Sequence, residues 1–114
     1  MEEQIPTVTK EEVLEQIEKG TSVVINVLAK LSYDEVHIKG SISVPFDKVE
    51  NGELDAIGSN KDVITYCKDQ TCLASKGAAR ILRGYGYNAS AYEGGMKEWL
   101  ESGLPVEGSK AKKK

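Results

Sequence analysis

A single histidine, one tryptophan, one phenylalanine, three prolines and two cysteines leave this 114-residue chain few ways to do chemistry. No apolar run approaches the roughly 20 residues that a membrane-spanning helix needs, so no membrane contact is expected. The acidic start "MEEQIPTVTKEEV" lacks the apolar stretch of a signal peptide, and a cytoplasmic location follows as the expectation. Basic excess is missing too. Four of the 15 basic residues, Lys110, Lys112, Lys113 and Lys114, sit in the tail, which leaves 11 against 18 acidic residues and argues against nucleic-acid binding. Two Cys and His37 fall short of the four protein ligands usual for structural zinc, so no metal and no cofactor is expected. In a reducing compartment the cysteine pair also argues against a structural disulfide, which leaves inert buried thiols or reactive ones.

What is present is a regular alternation. Thr9 and Glu12 form a capping box ahead of the apolar stripe Val13, Leu14 and Ile17. Ser22 to Leu28 is a near-continuous apolar run, as expected of a strand covered on both faces. Ser32 to Glu35 reads as a second capping box, and Gly40 to Pro45 as a short strand. From Phe46 to Asn60 the chain is irregular, with Leu54 and Ile57 on one helical turn. Asp62 to Cys67 is the second strong strand. Leu73, Ala74, Ala78, Ile81 and Leu82 then share one helical face. A short strand over "ASAYEG" precedes a last helix that turns Met96, Trp99 and Leu100 inward. This order implies an α/β domain with a mainly parallel sheet. One domain over 1–114 is expected, with a core of about 7–107 and a flexible lysine-rich tail over 108–114.

Both cysteines lie in "YCKDQTCLAS", where a strand hands over to a helix. Ligands of open parallel sheets bind at the carboxyl ends of strands, beside helix amino termini. A loop there can turn several N–H groups toward one point and lower the pKa of a thiol held at it. Strand, Cys, loop and helix in this order serve tyrosine phosphatases, rhodaneses and disulfide oxidoreductases alike. The phosphatases require an arginine six residues after the nucleophile; Leu73 and Ala78 stand six after Cys67 and Cys72. Thioredoxin-like chemistry uses Cys-x-x-Cys, whereas four residues intervene here.

Three segments together resemble the rhodanese family of single-domain sulfurtransferases. "LSYDEVHIKGSISVP" is similar to its upstream signature, "VITYCKDQTCLASKGAARILRGYGY" to its active-site strand, loop and helix, and "AYEGGMKEWLESGLPVE" to its closing signature. The resemblance implies a three-layer domain with a mainly parallel five-stranded sheet and helices on both faces. It further implies that Cys67 is the nucleophile, taking a sulfane sulfur from a donor such as thiosulfate and passing it to a thiol or cyanide. Backbone N–H groups of Lys68, Asp69, Gln70, Thr71, Cys72 and Leu73 would hold the donor, with Lys68 adding positive charge. The partners implied are a small-molecule sulfur donor and a thiol acceptor, which could be a protein, and the chain is expected to act as a monomer. The alternative is a binding or redox-sensing module on the same scaffold.

The chain departs from the family pattern in places. The usual Cys-x-x-Gly-x-Arg-Ser loop is replaced by one in which Ser75 lies eight residues past Cys67, without the Gly or the Arg. Asn26 and Leu28 stand where the family has Asp and Arg. Cys72 reads as a loop cysteine with its sulfur turned into the core, the other reading being a resolving thiol that closes a disulfide with Cys67. His37 matches a structural turn rather than a general base. Trp99 and Tyr66 read as core.

Overall fold

The computed structural model describes residues 5–58 and 62–111. Helix α1 (Lys10–Lys19) starts where expected: Thr9 Oγ1 accepts the Glu12 N–H at 3.2 Å, and Glu12 Oε1 accepts the Thr9 N–H at 2.8 Å. Strand β1 (Val23–Asn26) follows, shorter than its apolar run. Helix α2 (Lys30–Glu35) corrects the second capping box: it begins after Ala29, and Ser32 lies inside it with its carbonyl accepting the Val36 N–H. Then come β2 (His37–Ile38), β3 (Ile42–Ser43), α3 (Phe46–Glu50) and a 3-10 turn over Asp55–Ile57; the turn lies where Leu54 and Ile57 were expected to share one, and α3 is the element that the irregular reading of this stretch lacked. Residues 59 and 60 of that stretch lie outside the described residues. The chain continues through β4 (Asp62–Tyr66), α4 (Ala74–Gly84), β5 (Asn88–Tyr92), α5 (Gly95–Glu101) and β6 (Val106–Glu107).

Four strands form the central sheet in the order β3-β1-β4-β5, all pairs parallel. The fold is the expected α/β arrangement, with one strand fewer in the sheet. Where a fifth strand would flank β5, Thr7 makes one parallel bridge to Ala91, with Val8 N–H donating to the Ala91 carbonyl at 3.0 Å. The preceding Pro6 accepts from the Ala91 N–H but has no N–H of its own, so the ladder stops there. Strands β2 and β6 form a separate antiparallel ribbon, His37 opposite Glu107, that the short closing segment did not announce.

The pleat sends successive side chains to opposite faces, and two cores result. Ile25, Val27, Val63, Cys67, Ala78 and Leu82 pack on one side, Val13, Val24, Ile64, Tyr66, Tyr92 and Trp99 on the other. Two residues expected inward are not. Leu73 is the residue before α4 and is 77% exposed, and Leu100 is 47% exposed on the outer side of α5. The expected flexible tail is in part tied down: Ser109 and Lys110 donate their N–H groups to the carbonyls of Asp34 and Glu35 at the end of α2. Residues 112–114 of that tail lie outside the described residues. No helix among the described residues is long and apolar enough to cross a membrane.

Candidate active site

Strand β4 ends at Tyr66, and Cys67 follows at the carboxyl edge of the sheet. Tyr66 goes to the opposite face. Its hydroxyl meets Asn26 Nδ2 at 3.1 Å, the Ile38 N–H at 3.0 Å and Ser41 Oγ at 2.8 Å, and burial holds its pKa above the ordinary phenol value. Asn26 Oδ1 in turn accepts the Leu28 N–H at 2.8 Å. The amide standing in the family's aspartate position thus uses both its donor and its acceptor to tie the ends of β1 and β4 together. A carboxylate could not supply that donor.

Helix α5 fixes the start of the loop. Its Met96 and Lys97 N–H groups donate to the carbonyls of Cys67 and Lys68, each at 2.9 Å. Gly95 permits this approach: its φ is +65°, and a Cβ there would lie 2.7 Å from the Cys67 carbonyl oxygen. Farther along, Asp69 organises the turn. Its Oδ1 accepts the Thr71 hydroxyl at 2.6 Å and the Thr71 N–H at 3.0 Å, and its carbonyl accepts the Cys72 N–H at 3.1 Å. The Thr71 hydrogen bonds hold the Asp69 carboxyl below the usual range. Of the six loop N–H groups expected to face a donor molecule, those of Thr71 and Cys72 are therefore spent inside the loop.

This turn brings Cys72 back over Cys67. Their Cα atoms are 6.6 Å apart and the two sulfurs form a disulfide. The expectation against a disulfide is corrected, because a separation of five residues closed by the Asp69 turn falls within disulfide reach. Cys67 is buried, 1% exposed, and Cys72 is half-buried against the same core, bonded to Cys67 rather than simply turned inward. Helix α4 starts at Ala74, with Leu73 as its cap residue and no side-chain cap.

A cleft of about 300 Å³ opens beside the loop, lined by Asp69, Gln70 and Thr71 from one side and Gly94, Lys97, Glu98 and Glu101 from the other. Lys97 is paired with Glu101 at 3.0 Å, and the Tyr92 hydroxyl donates to Glu98 at 2.7 Å. Lys68 is exposed. Among the described residues no group of three or more His, Cys, Asp or Glu is placed to hold a metal. His37 belongs to the β2–β6 ribbon, stacked on Tyr33 at 3.8 Å with Nδ1 2.7 Å from the Tyr33 carbonyl. Trp99 is core, its Nε1–H donating to the Pro105 carbonyl at 2.8 Å. Sequence reasoning missed the Asp69 turn, although an Asp followed two residues later by Thr is a recognisable turn signal.

Comparison with known proteins agrees with this geometry. The HTH-type transcriptional regulator Rv0324 of Mycobacterium tuberculosis is 30% identical over 100 residues, which cover 88% of this chain and 44% of the regulator. The chain thus spans less than half of that relative's length. The BH2092 protein of Bacillus halodurans superposes with a TM-score of 0.84 at 26% identity, covering 92% of this chain and 78% of that one. The human single-domain sulfurtransferase TSTD1 superposes with a TM-score of 0.73 at 20% identity, covering 86% and 97% of the two chains. The Rhodanese-like domain matches residues 9–102, a span that takes in every element from α1 to α5 and both cysteines. With that span matched, and with a cysteine at the end of the central parallel strand, the chain belongs to the rhodanese-like domain family.

Proposed function

We propose that this protein is a sulfurtransferase that carries sulfur as a Cys67 persulfide. The observation that supports this reading most is the position of Cys67: directly after central strand β4, its carbonyl gripped by α5, with the amino end of α4 beyond the loop. The disulfide is the resting oxidised form, and a thiol reductant such as a reducing cytoplasm supplies must open it first. The Cys67 thiolate then attacks the outer sulfur of thiosulfate. A bond forms between Cys67 Sγ and that sulfur, the S–S bond of thiosulfate breaks, and sulfite leaves with the electron pair. The persulfide is anionic, and fixed backbone donors can hold it in place of water. A thiol or cyanide next attacks the terminal sulfur and Cys67 leaves as thiolate, a double displacement through a covalent intermediate.

The test is thiocyanate formation from thiosulfate and cyanide by protein reduced beforehand and freed of reductant. Wild type should turn over and Cys67→Ser should not; thiocyanate formation surviving in Cys67→Ser overturns the assignment. The disulfide and the likeness to a transcriptional regulator favour one second reading, a redox-sensing module in which the Cys67–Cys72 bond is itself the signal. On that reading the reduced wild type releases no sulfite from thiosulfate.

A further inference from the structure

We infer that Cys72 resolves the Cys67 persulfide and releases its sulfur as hydrogen sulfide, which gives the protein a sulfane-sulfur reductase activity alongside transfer to external acceptors. The inference rests on the reading of Cys67 as the sulfur carrier and assigns a role to the second thiol of the loop. The partner of Cys72 Sγ is the Sγ atom of Cys67, which in the persulfide is the inner sulfur. Attack by the Cys72 thiolate there forms the Cys67–Cys72 bond, breaks the bond to the outer sulfur and expels it as HS⁻. The balance is complete: two cysteine thiols are oxidised to one disulfide, the sulfane sulfur gains those two electrons, and their protons leave with it as hydrogen sulfide. A dithiol reductant, small or protein-borne, then reduces the disulfide by exchange and restarts the cycle.

Three features of the loop support this route over attack by an outside thiol. Asp69 holds the turn through Thr71 and the Cys72 N–H, so the second thiol is delivered rather than left to diffuse. Helix α5 holds the Cys67 and Lys68 carbonyls, so the target sulfur does not retreat as Cys72 approaches. With the Cys67–Cys72 bond in place Cys67 is 1% exposed, so in the closed loop the atom at hand for its sulfur is that of its neighbour in the same loop.

A single-turnover experiment separates the steps. The full chain is reduced with a phosphine, freed of it without oxygen and mixed with thiosulfate in the absence of any thiol. Sulfite, sulfide and intact mass are then followed. Wild type should release sulfite and an equal amount of sulfide, end about 2 Da lighter as the disulfide forms, and resume sulfide release when dithiothreitol is added. Cys72→Ser and Cys72→Ala should still release sulfite, retain the sulfur as an adduct of about 32 Da, and release sulfide at least about ten-fold more slowly. Sulfide release unchanged in both Cys72 variants, or a persulfide that persists in wild type, overturns the resolving role. Absence of sulfite from wild type is a different failure, which removes the sulfur-carrier reading itself.

Discussion

Tyr66 and Cys67 are neighbours in sequence and face opposite ways across the sheet, one holding the ends of the strands together and the other reaching the loop. The Tyr66 hydroxyl serves three partners at once in a fully buried setting: the Asn26 amide, the Ile38 N–H and Ser41 Oγ. Removing it leaves two donors without an acceptor away from water, which costs more than one ordinary hydrogen bond. Tyr66→Phe should therefore lower stability by about 1–3 kcal/mol, read from the urea midpoint with unchanged slope. A loss below about 0.5 kcal/mol would mean that water reaches the network. Sequence alone marked Tyr66 as core from its place in the strand alternation. Its hydroxyl's partners were not legible, because Ile38 and Ser41 are brought to it from 28 and 25 residues away. The same holds for Asn26: its substitution for Asp was visible, while the donor bond that gives the amide its use was not.

Among the elements, those whose local signals agree with their surroundings were legible, and those that depend on distant partners were not. The Thr9–Glu12 box carries its own instructions in capping, and β4 and α4 carry theirs in periodicity. The β2–β6 ribbon pairs residues about seventy positions apart in two-residue strands, too short for any pattern to show. The contact of α5 with the cysteine loop falls between these cases. Gly94 and Gly95 announce a tight turn, but only the fold reveals that Gly95 lies against the Cys67 carbonyl. A comparison of two glycines isolates that contact. Gly20 and Gly95 share nearly the same φ, +67° and +65°, yet a Cβ at Gly20 would meet nothing within 4 Å. Gly20→Ala should cost about 1 kcal/mol, the left-handed strain alone, and leave thiocyanate formation unchanged. Gly95→Ala should cost more than that and also slow thiocyanate formation, because the backbone of Cys67 must shift. Equal stability losses with activity intact in both would show that α5 does not position the loop.

Over the whole molecule, charge opposes the small anion that the proposed reaction consumes. The chain carries a net charge of −3, and the cleft beside the loop sets Asp69, Glu98 and Glu101 against Lys97, which is already paired with Glu101. Net charge was legible from composition; the gathering of these carboxylates from a loop and a helix was not, since the fold alone brings Asp69 to α5. Thiosulfate carries two negative charges, so its approach meets a repulsion that salt screens over about 10 Å at 0.1 M. Exposed Lys68 acts against this at short range, as a flexible point charge beside the nucleophile. The rate of sulfite release in single turnover, measured at sub-saturating thiosulfate, should therefore rise roughly two-fold between about 20 and 200 mM salt. Lys68→Ala should lower the rate at low salt and steepen that rise, because only the repulsive part of the field is left. A rate that falls with salt in wild type, and becomes flat in Lys68→Ala, would show instead that the one lysine beside Cys67 outweighs the acidic surface around it.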